Sequence, residues 1–122
     1  MSDSALIREV LSQILTGARR IERRSASVLA PNDFLDSDAG LDKLDAICMM
    51  LIAIGESVKN LDKITDGKLL LRFPQVDWKG VKGVRDVISH QYFDVDAEAV
   101  FAICKKHIPV LIITVEHMIA DL

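Results

Sequence analysis

Aromatic residues make up only 5% of this 122-residue chain, four phenylalanines and one tryptophan among them, too few for a typical β-sandwich core. Leu, Ile, Val, Ala and Met do the filling instead, a composition that suits helix-on-helix packing. The sixth aromatic is the lone tyrosine. There are two cysteines, Cys48 and Cys104, each in an apolar stretch and neither in a Cys-x-x-Cys pair. A disulfide framework is excluded, and small buried thiols in a reduced, cytoplasmic protein are expected. Positive charge is not in excess: the formal net charge is −3 and the pI about 5.5. A generic nucleic-acid coat is excluded, so any nucleic-acid role needs a local patch. Long hydrophobic runs are missing too. The longest, residues 46–55 and 108–115, fall well short of the roughly 20 residues of a spanning helix. The start, Met1-Ser2-Asp3-Ser4, lacks the basic-then-apolar pattern of a signal peptide. No membrane partner is expected. No His, Cys or carboxylate spacing makes a metal site. There is no Gly-rich phosphate loop and no Gly-x-Ser-x-Gly element, so no cofactor is implied.

What is present is apolar helix. Half the residues are hydrophobic, and one domain over residues 1–122 can bury roughly two thirds of its unfolded surface. A first helix is predicted over residues 4–24, with Leu6, Val10, Ile14, Gly17 or Ala18, and Ile21 on one face. Arg19, Arg20, Arg23 and Arg24 crowd its end. They suit the helix dipole and solvation better than a nucleic-acid patch. Pro31 opens a short helical turn through Phe34 and Leu35, read as an apolar plug. A second helix follows from Asp38 or Ala39 to Leu61. Leu41, Leu44, Cys48, Leu51, Gly55, Val58 and Leu61 alternate steps of three and four along it. Ile47, Met50, Ile52 and Ile54 widen its apolar surface, which places it centrally or against another subunit. Gly55 in its middle implies a close neighbour, since glycine there costs about 1 kcal/mol relative to alanine.

Asp66-Gly67 reads as a turn and Leu69, Leu70 and Leu71 as a small apolar patch ended by Pro74. Asp77 caps a helix expected to run from Trp78 to about His90 or Tyr92. Gly80 and Gly83 on it would permit close packing. A last helix starts at Asp96 and presents Val100, Phe101, Cys104, Ile108, Leu111, Val115, Met118 and Leu122, with a kink at Pro109. His107 and His117 read as packing or surface residues. The expected fold is an all-α, up-and-down bundle of four to five helices.

Chemistry concentrates in residues 85–92, Arg-Asp-Val-Ile-Ser-His-Gln-Tyr. Arg85 offers a flat fork of donors for phosphate or carboxylate. His90 can give or take a proton near neutrality. On a continuous helix Asp86 would lie about 40° from His90 and could orient the imidazole. Ser89 could add a hydroxyl. Lys79 and Lys82 would enlarge the positive patch for RNA. On that same helix Arg85 and His90 diverge by about 140°, whereas Arg85 and Tyr92 share a face. Either the helix loosens at residues 88–91 or the site draws on two protomers, and the second is preferred. A phosphate clamp with an acid/base pair suffices to cleave RNA through its own 2′-hydroxyl. Against this, an Arg-Asp-His run on a helix is more often a solvated or packed polar face, and a lone tyrosine is more often half-buried with its hydroxyl outward.

The spacing Arg85-x4-His90-x-Tyr92 resembles the signature of the HepT-like toxins, a branch of the HEPN superfamily. Ile54-Gly55-Glu56, Pro74, Trp78, the Gly-x-Arg step at residues 83–85 and the Val95-Asp96 helix start resemble the same family in the same order, across nearly the whole chain. Asp86 stands where many relatives carry Asn. The resemblance implies an all-α homodimer whose paired motifs form a metal-independent ribonuclease site, with Arg85 and His90 as the catalytic pair. It further implies the toxin of a type VII toxin–antitoxin module. The partner would be a minimal nucleotidyltransferase (MNT) antitoxin that attaches AMP to Tyr92. A non-catalytic nucleotide-binding or docking module on the same bundle is the alternative, and a plain structural dimer a third reading.

Overall fold

Side-chain caps start three of the six described α-helices. In the computed structural model, which describes residues 3–91 and 93–122 and only the backbone of His90 and Gln91, α1 spans Asp3–Ser25 and α2 spans Asp38–Ile64. Ser37 caps α2, its hydroxyl accepting from the Gly40 N–H at 3.0 Å. Between them Pro31–Phe34 forms a 3-10 turn, braced by the Asp33 carboxylate, which accepts from the N–H groups of Leu29 and Ala30. Phe34 is fully buried there, but Leu35 is exposed, so only one of the two expected plug residues seals the turn. After α2 the chain turns through Asp66 and Gly67, both at positive φ, and through a second 3-10 turn, Leu70–Arg72. Leu70 is buried and Leu71 is not.

The helix expected from Trp78 to His90 is not continuous. It is two short helices, α3 Trp78–Lys82 and α4 Val84–Ile88, followed by a strand, β1 Ser89–Gln91. Gly83 is the break, with φ −97° and ψ 17°, as suits the residue with the weakest helix propensity after proline. Ser89 turns to extended backbone, where Val87, Ile88 and Val95 bring β-branched character. β1 pairs antiparallel with β2 Asp94–Val95. The close-packing role expected of Gly80 is also corrected. A Cβ there would lie 2.4 Å from Asp77 Oδ2, so Gly80 makes room for the carboxylate that caps α3 through its N–H.

α5 Ala97–Ala102 begins at Asp96, whose carboxylate accepts from the Ala99 N–H at 3.0 Å. A π turn, Ile103–His107, links it to α6 Ile108–Ala120. The disturbance expected at Pro109 takes this form. Proline cannot donate to the carbonyl four residues back, and the turn before it widens.

The arms run up and down. Lys105 Nζ donates to the Ser25 carbonyl at 2.7 Å, and Arg19 pairs with Glu116 at 3.1 Å, so the last arm lies antiparallel to α1. A Cβ on Gly55 would lie 2.8 Å from the Val81 carbonyl and 3.2 Å from Val84. That close approach explains the glycine and lays α3 and α4 on α2. Leu11, Ile21, Ile47, Val58, Ile88 and Val115 are among the fully buried core residues. Leu6, Leu41 and Leu122, expected on core faces, are partly exposed at the ends of their helices. Trp78 is buried, its Nε1–H donating to the Phe73 carbonyl at 2.8 Å. Among the described residues no helix is long and apolar enough to cross a membrane.

Candidate active site

The site residues nominated by sequence fall on α3, on α4 and in the hairpin after it. Arg85 and Asp86 are both exposed on α4. Neither makes an ion pair with a described residue. The Arg85 side chain is therefore open to an incoming anion. The Ser89 N–H donates to the Arg85 carbonyl and ends the helix. Ser89 itself is half-buried.

His90 stands on extended backbone. Ser89 faces Val95 and Gln91 faces Asp94 in the hairpin register. Two residues on β1 therefore span one on β2, and His90 is the extra one. Such a bulge re-aims a side chain relative to a regular strand. At the hairpin base the Asp96 N–H donates to the Ile88 carbonyl at 2.8 Å. The side chain of His90, and Tyr92 altogether, lie outside the described residues.

This geometry removes the helical-wheel reasoning for the site. With α4 ending at Ile88, the 140° divergence of Arg85 and His90 does not apply. The four-residue alignment of Asp86 with His90 does not apply either, nor does the shared face of Arg85 and Tyr92. Local loosening, the option set aside, is what the backbone does. The signal was legible in Gly83 and in the β-branched and aromatic residues between 87 and 95.

The two lysines differ. Lys79 is exposed. Lys82 is half-buried in an ion pair with the Asp62 carboxylate on α2, which commits much of its charge to the fold. His107 and His117 are exposed on the last arm. Among the described residues no group of three His, Cys, Asp or Glu side chains could hold a metal ion.

Of two hollows among the described residues, one borders this region. A groove of about 540 Å³ between α1 and α2 is lined by Ser12, Gln13, Thr16, Arg20 and Ser57 among others. It contains none of the nominated residues. A smaller apolar pocket of about 190 Å³ lies between α4 and the π turn, with Val84, Val87, Ile103, His107 and Val110 in its wall. Sequence reasoning did not anticipate it, because its walls come from elements distant in the chain.

Comparison with known proteins adds the family. The candidate RNase MJ0127 of Methanocaldococcus jannaschii is 35% identical over 77 residues, covering 63% of this chain and 60% of that protein. A second from the same organism, MJ0125, is 35% identical over 77 residues, covering 63% of each. The candidate RNase TTE0752 of Caldanaerobacter subterraneus subsp. tengcongensis is 36% identical over 66 residues, covering 54% of this chain and 55% of that protein. The matched part thus spans about three fifths of the length of these relatives. No solved structure matches the chain significantly. The family model described as "Ribonuclease HepT-like" matches residues 14–118, which takes in α2, both short helices, the hairpin and most of the last arm. The chain belongs to the HepT-like ribonuclease family.

Proposed function

We propose that this protein is an endoribonuclease that cleaves RNA without a metal, using Arg85 and His90 from two copies brought together as a homodimer. The observation that carries the reading is an open Arg85 in the first turn of α4, followed five residues later by His90 on a bulge, in a chain of the HepT-like ribonuclease family. Arg85 would grip the scissile phosphate with two parallel N–H donors. One His90 would take the proton of the ribose 2′-hydroxyl as its oxygen attacks phosphorus. The bond to the 5′-oxygen breaks, and the His90 of the second copy would return a proton to that leaving oxygen. The products are a 2′,3′-cyclic phosphate and a free 5′-hydroxyl, and no electron or metal is needed. Asp86 and Ser89 would support the pair and Lys79 the RNA backbone, with Lys82 weaker because Asp62 holds it.

In this reading the protein is the toxin of a HEPN/MNT module, and its nucleotidyltransferase antitoxin places AMP on Tyr92. Tyr92 follows His90 by two residues, so an adenylyl group would add bulk and phosphate charge beside the reacting groups. Co-expression tests this. The wild-type chain should arrest growth alone and not beside the antitoxin, and His90→Ala should abolish the arrest. Tyr92→Phe should stay toxic in the presence of the antitoxin. A Tyr92→Phe chain that the antitoxin still silences would exclude the modification.

The second reading is a docking module without turnover. The acidic net charge and the engagement of Lys82 by Asp62 favour it. It requires a stable complex with the transferase and no RNA cleavage.

A further inference from the structure

We propose that α1 carries a self-association surface of its own: two copies pack antiparallel along the groove between α1 and α2, with Glu9 of each copy meeting Arg20 of the other. This face carries none of the residues of the proposed RNA site, so the contact is independent of that reading. Glu9, Gln13, Thr16 and Arg20 follow one another on α1 in steps of four, three and four, which makes them one straight row. All four are exposed, and the row forms one wall of the groove of about 540 Å³. Met50, Ala53 and Ser57 of α2 stand in the other wall. At its floor the two helices come close, since a Cβ on Gly17 would lie 3.3 Å from Ile54. Ser57 is two residues beyond Gly55, about 200° around the helix. The groove therefore opens on the side of α2 away from Gly55, where α3 and α4 lie.

The charges select a second copy as the occupant. Glu9 and Arg20 lie about 16 Å apart along the helix axis, too far to pair with each other. Neither makes an ion pair with another described residue, whereas Arg19 is already held by Glu116. A groove with an acid at one end and a base at the other repels a phosphate chain at the acid. It suits a protein helix that carries the same charges in reversed order, and an antiparallel copy of α1 has that order. With the two-fold axis passing between Ile14 and Leu15, Glu9 faces Arg20 and Gln13 faces Thr16, each pair occurring twice, as such an interface requires. Arg23 then faces Leu6, so no like charges meet along the row. Gln13 and Thr16 at the centre keep the contact polar, as in interfaces that form and part reversibly. Together with the proposed RNA-site dimer, which uses α4 and the hairpin, it would join dimers to one another.

Sedimentation velocity of the purified full chain over a dilution series tests the contact. Glu9→Arg and Arg20→Glu should each raise the dissociation constant of this step about 10- to 100-fold, because one reversal turns two attracting pairs into two repelling ones. An equimolar mixture of the two variants should associate as the wild type does, since every facing pair is again of opposite sign. The double variant should recover association for the same reason. Raised salt should weaken the wild type, and circular dichroism should show all variants equally helical. A dissociation constant that neither reversal moves, or a mixture no tighter than its parts, overturns the contact. So does a chain that stays monomeric at every concentration. The proposed RNA-site dimer fails in a different way: the wild type would stop at dimers, and Glu9→Arg would reduce them to monomers, which supports the α1 contact alone. Dimers that both reversals leave intact overturn the α1 contact alone.

Discussion

The backbone N–H of Asp96 donates to the carbonyl of Ile88 at 2.8 Å, and this bond closes the base of the hairpin that carries His90. The same residue caps α5, its carboxylate accepting from the Ala99 N–H. One residue therefore ties the end of α4 to the start of the last arm. Asp96→Ala keeps the backbone bond and loses the cap, which should cost about 1 kcal/mol in urea denaturation. Asp96→Asn, an equally good cap, should cost little.

Gly55→Ala tests the approach of α3 to α2. The new methyl group would sit 2.8 Å from the Val81 carbonyl. Alanine gains about 1 kcal/mol in helix propensity, but overpacking against backbone costs about 1–3 kcal/mol. Backbone cannot swing aside as a flexible side chain does, so the net effect should be destabilising. Thermal denaturation would show a lower midpoint, and an unchanged or raised one would mean that α3 yields.

Trp78→Phe keeps the apolar body and removes the N–H that reaches the Phe73 carbonyl. The carbonyl loses its buried partner, and about 1–3 kcal/mol of stability should go with it. The loss should appear in equilibrium unfolding, with far-UV dichroism of the native state unchanged.

The helices were legible in the sequence wherever periodicity ran long. α1 and α2 fall within three residues of the expected ends, and Phe34, Gly55 and Asp77 do what their chemistry suggested. The stretch from Trp78 to His90 or Tyr92 was misread as one helix. Arg85, Ser89 and Tyr92 invite a helical wheel, yet Gly83 breaks the helix and Asp96 pulls the chain into a hairpin by bonding back to Ile88. That bond joins residues eight apart, which no periodicity reveals. The motif residues themselves were legible as types. Their arrangement depended on a bulge at His90, and the ion pair of Lys82 with Asp62 on a contact across two helices.

The cysteines give a pH dependence. Burial, then the nearby Asp45 carboxylate and Cys104, push the Cys48 thiol up to about 11. Burial also raises Cys104, against a lowering hydrogen bond from Ser25. The folded state therefore prefers both thiols protonated. Stability from this source is complete below the ordinary thiol range and is lost as pH rises toward 11. Thiol-specific reagents should label the native protein slowly at pH 8 and faster as pH climbs, while denatured protein labels quickly at pH 8. Fast native labelling at pH 8 would mean that the thiols are not held in this environment.

Cleavage of RNA by the purified chain in EDTA is the most direct measurement. The wild type should cut and leave 2′,3′-cyclic phosphate ends. His90→Ala should lower the rate by two to four orders of magnitude, as expected for loss of proton transfer, about 10²–10⁴-fold, and Arg85→Ala should also cut far more slowly. Equal cleavage by all three proteins, or none by the wild type, would contradict a site built on Arg85 and His90.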